Sequence, residues 1–196
     1  MQSWERTGIC RVYTINLGPM KAATGTILIT RQEIDNRIAE IGRQISSDYA
    51  GREILFVGIL KGSFVFLSDL IRAISSEIPI EVDFMSVSSY GDSTSSSGTV
   101  HIEKDMSVPV DGKNIIIVED IVDTGLTLLH VHNILGGRGA KSIRVATLLE
   151  KPGNCKYKYA LDYVGFKIPN KFVVGFGLDH AQHYRNLPDI RVLNEV

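Results

Sequence analysis

Apolar residues recur at helical spacing beyond Thr30: Ile34, Ile38, Ile41 and Ile45 form one stripe, and Thr30 with Glu33 has the spacing of a capping box. A helix with one buried face is predicted there. The pattern then changes to continuous apolar runs, "EILFVGIL" at 53–60, "NIIIVED" at 114–120 and "SIRVATLLE" at 142–150, as in strands covered on both faces. "IPIEVDFMSVSSY" at 78–90 adds a further strand, and "KFVVGFG" at 171–177 also has the composition of one. Helical patterns lie between the runs. "FVFLSDLIRAI" follows the first after a short "KGS" turn, and another helix is predicted from about Thr124 to Leu135. This alternation predicts an α/β fold with a mostly parallel twisted sheet flanked by helices. Two stretches stand apart from it. "GDSTSSSG" at 91–98 is too polar to fold alone, while residues 1–25 combine an edge-strand pattern, "CRVYTINLG", with turn-like "GPMKAATGT". The expected organisation is an N-terminal extension over 1–25 and a single domain over 26–196.

The chain has 196 residues, 44% hydrophobic and 22% charged, a globular composition of single-domain size. A formal net charge of -1 leaves no Lys/Arg surplus to neutralise a run of phosphates, so nucleic acid is not an expected partner. Cys10 and Cys155 match neither a metal-ligand spacing nor a disulfide framework, which makes a reducing compartment the default. Charged residues and Pro19 interrupt the first 30 positions before a secretory signal could build, and no run reaches membrane-spanning length. The expected location is the cytoplasm, without membrane attachment.

The chemistry concentrates where "NIIIVED" ends. In parallel sheets ligands sit at the carboxyl ends of strands, beside helix N-termini. Glu119, Asp120 and Asp123 fall at such an end, followed by Thr124, Gly125, Leu126 and Thr127, whose hydroxyls and backbone N–H groups can converge on one anion. Gly125 permits close backbone approach. Carboxylates repel a phosphate unless they face another part of its molecule, such as sugar hydroxyls, or a divalent cation. The pattern therefore points to a sugar phosphate. A buried strand ending in a capped turn is the plainer alternative. A P-loop nucleotidase is a third, but "LGGRGAKS" at 135–142 carries Leu135 and Ala140 where that motif requires glycine.

This segment closely resembles the phosphoribosyl diphosphate-binding motif of the type I phosphoribosyltransferases, which transfer ribose 5-phosphate from phosphoribosyl diphosphate to a nitrogenous base. The resemblance implies their fold, with a small hood or lid region, and a 5-phosphate cradle from Thr124 to Thr127. It also implies Glu119 and Asp120 beside the ribose hydroxyls, with Mg2+ nearby. "ILKGSFVF" at 59–66, "VSSYG" at 87–91, "LLEKP" at 148–152 and "DYVGFKIPNKFVVGFGLDHAQHYRNLP" at 162–188 look like the hypoxanthine-guanine branch, and the likeness runs from about residue 26 to 193.

Each piece carries an implied role beside its own physical reading. Lys61 and Gly62 follow a buried strand and could offer a charge and N–H groups to pyrophosphate, or Lys61 could simply start a helix. The family implies a cis peptide between Leu60 and Lys61. Ser89 and Tyr90, with the serine-rich loop, resemble a lid that keeps water from a cationic sugar. Lys151 is implied to donate to the oxygen at purine position 6, which favours oxo-purines over adenine, whose amino group offers no acceptor there. Phe172 is implied to stack on the purine and the Val173 backbone to read its edge, whereas an isolated aromatic in such a run is ordinarily core. Lys171 could be solvated or near the ligand. Asp179 is implied to bind a second Mg2+ that bridges to pyrophosphate, with Arg185 donating to the same group. His180 and His183 suggest a zinc site only superficially, because no Cys or acid cluster completes one. His130 and His132, two apart on a predicted helix, face different ways.

The reaction implied is hypoxanthine or guanine plus phosphoribosyl diphosphate giving IMP or GMP and pyrophosphate, with Asp123 as general base at purine N7. The rivals are a xanthine-preferring enzyme and a regulator that keeps the fold while binding RNA or DNA. Leu126 stands where some relatives carry lysine, and residues 1–25 have no counterpart in the family pattern. The family usually forms homodimers or homotetramers.

Overall fold

A computed structural model describes residues 25–89, 100–154 and 160–193. The edge-strand pattern near Cys10, Tyr90 with the serine-rich loop, and Cys155 lie outside the described residues. β1 (Gly25–Ile29) leads into α1 (Arg31–Asp48), which starts as its sequence predicts. The Thr30 hydroxyl accepts the Glu33 N–H at 3.3 Å, and the Glu33 carboxylate accepts the Thr30 N–H at 2.8 Å, which closes the capping box. Ile34, Ile38, Ile41 and Ile45 are all buried.

The continuous apolar runs become the centre of a six-stranded sheet. They are β2 (Ile54–Leu60), β5 (Asn114–Val122) and β6 (Ser142–Glu150), joined by β3 (Ile80–Ser89), β4 (Val100–Lys104) and β7 (Tyr163–Lys167). The order is β4-β3-β2-β5-β6-β7, parallel throughout except for β4 at one edge. Side chains alternate across the sheet. From β2, Ile54 and Phe56 enter the core under α1 and α2 (Phe64–Arg72), whereas Leu55, Val57 and Ile59 enter the core under α3 (Leu126–Gly137). β2, covered on both faces, therefore has no polar position, and each of its buried Ile or Leu side chains contributes on the order of 1.5–3 kcal/mol.

Two boundaries differ from the pattern. α3 begins at Leu126 rather than Thr124, because Gly125 sits in the left-handed region at φ 81 and cannot extend a helix backwards. "KFVVGFG" yields only the short β8 (Val173–Val174), since Gly175 at φ 100 turns the chain and pairs with Leu178 instead. β8, β1 and β9 (Ile190–Leu193) form a separate antiparallel sheet in the order β1-β9-β8. Its Ile29, Val173 and Ile190 share the α1–α2 core, which anchors the hood to the main sheet.

Candidate active site

From the central pair β2 and β5 the chain leaves in opposite directions. β2 continues through α2 to its neighbour β3, and β5 continues through α3 to β6 on the other side. Such a reversal opens a crevice at the carboxyl ends of the strands. The Lys61–Gly62 turn ends β2 there, and Glu119, Asp120 and Asp123 cluster at the end of β5.

Glu119 and Asp120 serve two different cavities. The smaller, about 80 Å³, is lined by Glu119, Asp123, Thr124, Gly125 and Thr127. At this point α3 has no side-chain cap, and the Leu126 N–H turns back to the Thr124 hydroxyl at 3.3 Å. The first-turn amides and the helix dipole favour an anion at such a terminus. The larger cavity, about 310 Å³, is lined by Asp120, Asp123, Lys151, Phe172, Val173 and Asp179. Ile121 and Asp123 line both, so Asp123 stands at their junction.

The acids are held under electrostatic tension. Burial, with the Asp120 charge beside it, pushes the Glu119 carboxyl well above the usual carboxylate range, and its Oε2 is buried without a hydrogen-bond partner among the described residues. Burial pushes Asp120 up to about 6, although the Ile121 N–H at 2.9 Å and the Arg185 charge pull the other way. Gly62 packs directly on Asp120, and a Cβ at position 62 would overlap its carboxylate. The peptide bond between Leu60 and Lys61 is cis, and Lys61 is exposed.

At the other end Lys151 is only 8% exposed, and its ammonium donates to Asp123 Oδ2 at 3.2 Å. Its own N–H is tied to the Val122 carbonyl at 2.9 Å, which fixes the start of the loop after β6 against β5. Phe172 is 53% exposed at the cavity wall, while Val173 is buried. Asp179 and Arg185 pair at 2.6 Å, and Arg185 also donates to the Gly177 carbonyl at 2.7 Å.

Of the expected residues, Asp120, Asp123, Lys151, Phe172, Val173 and Asp179 converge on one cavity, and Glu119 with Thr124, Gly125 and Thr127 on its neighbour. Leu126 opens α3 between them. Arg185 reaches the site through Asp179. Lys171 is exposed, lines neither cavity, and donates its N–H to the Pro169 carbonyl at 2.7 Å. Ser89 ends β3, paired with Val100. Ile121 and Leu178 also line the larger cavity; as apolar residues within strand-like runs they carry no signal that separates a wall from the core.

Residues 27–181 match the family model for the phosphoribosyl transferase domain. The chain belongs to the phosphoribosyltransferase family. Among relatives, it is 47% identical over 174 residues to a hypoxanthine-guanine phosphoribosyltransferase of Bacillus subtilis, covering 89% of this chain and 96% of that protein. It is 44% identical over 184 residues to the bifunctional protein TilS/HprT of Listeria monocytogenes, covering 92% of this chain but 28% of the length of that larger protein. The crystal structure of a Staphylococcus aureus hypoxanthine phosphoribosyltransferase superimposes with a TM-score of 0.83 at 44% identity, over 88% of this chain and 92% of that one. The α/β architecture with a mostly parallel sheet is thus that of the phosphoribosyltransferases.

A divalent cation, Mg2+, is the expected companion of these acids. Among the described residues no three His, Cys, Asp or Glu side chains form a metal cage. An unpartnered buried oxygen on Glu119 beside Asp120 nevertheless fits a hard cation that takes one or two carboxylates and completes its shell with water and substrate oxygens.

Proposed function

We propose that this phosphoribosyltransferase moves the 5-phosphoribosyl group from phosphoribosyl diphosphate to hypoxanthine or guanine, releasing IMP or GMP and pyrophosphate, as a purine salvage enzyme. The observation that carries the reading is the junction: Asp123 lines both the cavity at the α3 N-terminus and the one walled by Lys151 and Phe172. A sugar phosphate in the first and a purine in the second would bring their reacting atoms together beside that carboxylate.

In this reading the amides from Thr124 to Thr127 hold the 5-phosphate, and Phe172 stacks on the base. Lys151 donates to the oxygen at position 6, and the Val173 backbone meets the purine edge. Purine N9 attacks C1 of the sugar as the bond from C1 to pyrophosphate breaks, and the bonding electron pair leaves with pyrophosphate. The N7 proton passes to the Asp123 carboxylate, a general-base contribution of about 10²- to 10⁴-fold. Alignment of base and sugar on fixed walls adds to this. Glu119, Asp120 and Asp179 would hold Mg2+, which when bound supplies charge neutralisation for the departing pyrophosphate. Lys61, Gly62 and Arg185 contribute donors on the same side, and Ser89 with Tyr90 belongs to the lid. A cytoplasmic homodimer or homotetramer completes the reading, without nucleic-acid or membrane partners. Among the described residues no helix is long and apolar enough to cross a membrane.

The test is an initial-rate comparison of hypoxanthine, guanine, xanthine and adenine with phosphoribosyl diphosphate and Mg2+. Turnover of the first two well above the others is expected. Preference for xanthine would move the assignment to that branch, and no turnover of any base would overturn it.

A further inference from the structure

The turn from Asp179 to Arg185 is closed from within. His180 and His183 each donate an N–H to the other's carbonyl, at 3.2 and 3.0 Å. The Gln182 N–H donates to Asp179 Oδ2 at 2.8 Å, and the pairing of Asp179 with Arg185 at 2.6 Å joins the two ends. Ala181 and Gln182 occupy the left-handed region at φ 50 and 68, a conformation that side chains adopt only where their surroundings hold them. His180 is therefore carried on a backbone with little freedom, and its ring meets that of Phe172 at 5.3 Å between centroids and 87° between planes.

We infer that His180 is a positioning residue for the purine: its ring holds Phe172 in the orientation that stacks on the base. Phe172 needs such support. Among the large apolar side chains at the surface of the described residues it is the most exposed, and a ring at 53% exposure without a neighbour would explore rotamers that stacking must then freeze out. A perpendicular aromatic contact is attractive because the positive edge of one ring meets the negative face of the other. It also leaves at least one face of Phe172 open, as a stacked base requires. His180 itself lines neither cavity, so it acts on the base only through Phe172.

The inference rests on the reading of Phe172 as the stacking surface, and the experiment separates the two. His180→Ala, His180→Phe and the wild-type protein are compared for KM of hypoxanthine, KM of phosphoribosyl diphosphate, kcat, and the dissociation constant of GMP by titration calorimetry. Loss of an aromatic pair predicts about a 2- to 10-fold rise in hypoxanthine KM and in the GMP dissociation constant for His180→Ala. Phosphoribosyl diphosphate KM stays within twofold, kcat does not fall, and His180→Phe, which keeps an aromatic edge, returns both purine constants towards wild type. Unchanged purine constants in His180→Ala overturn the inference, as does an equal rise in the phosphoribosyl diphosphate KM, which marks a general collapse of the turn. A wild-type protein that turns over no base sinks the transferase reading instead, and the GMP constants then decide the His180 contact by themselves.

Discussion

Asp83 offers a stability prediction that can be worked from the structure. Its side chain, 6% exposed on β3, accepts the Ser107 N–H at 2.6 Å, the Val108 N–H at 2.9 Å and the Phe84 N–H at 2.7 Å, with the Ser107 hydroxyl at 3.1 Å. Burial opposes the charge, but these donors outweigh it and pull the carboxyl down from 3.8 to about 2. A depressed carboxyl stabilises the fold above its unfolded pKa and loses that contribution as pH falls towards the folded value. For this shift the contribution is about 2.5 kcal/mol at neutral pH, fading between about pH 4 and pH 2. Asp83→Asn keeps the shape but turns an amide donor towards one or more of these N–H groups, so a loss of about 2–4 kcal/mol is expected at pH 7. Urea unfolding of both proteins at pH 7, 5, 3 and 2 measures it. The gap between them should be widest at pH 7 and narrow steeply below pH 4. A gap that is constant over that range, or smaller than about 1 kcal/mol at pH 7, would refute the assignment of stability to the ionised carboxylate.

Three further outcomes concern the site. Asp123→Asn should lower kcat by about 10²- to 10⁴-fold while nucleotide affinity changes little, and wild-type turnover in that variant would remove Asp123 from the chemistry. Lys151→Ala deletes the donor expected to meet the 6-oxo group and leaves Asp123 without its partner at 3.2 Å. A fall of about 10- to 150-fold in kcat/KM for hypoxanthine is expected, with a narrower gap between hypoxanthine and adenine in competition assays; an unchanged gap contradicts the role. Gly62→Ala places a methyl group where the Asp120 carboxylate lies, so kcat/KM for phosphoribosyl diphosphate should drop at least about tenfold in a protein whose circular dichroism is unchanged. Full activity would show that Asp120 can move freely.

Much of the site was legible because its motifs are local. "VEDIVDTGLT" places acids, glycine and hydroxyls on consecutive residues, and a parallel strand followed by a helix brings such a segment to the carboxyl edge of the sheet whatever surrounds it. "EKP" and "KFVVGFG" were different, since each has an ordinary reading as strand or strand end. The roles proposed for their residues came from resemblance and not from their own chemistry. Ile121 and Leu178 gave no signal, because an apolar wall residue looks like core, and His180 drew notice only beside His183 as an incomplete zinc pair, not as a neighbour of Phe172.

By itself the sequence determined β2, β3, β5 and β6, the capped start of α1 and the acidic turn, because period, capping and turn chemistry act between residues a few positions apart, while β1, β4, β7 and β9 were not among the predicted strands. The tertiary structure decided which distant groups meet. Gly62 lies against Asp120, Lys151 donates to Asp123 across 28 positions, and the His180 turn folds back on Phe172. Those contacts depend on strand order and on the hood packing into the α1–α2 core, both properties of the whole chain. Strand pairing and core packing are settled by the sum of many weak, long-range burials, so no local stretch encodes them.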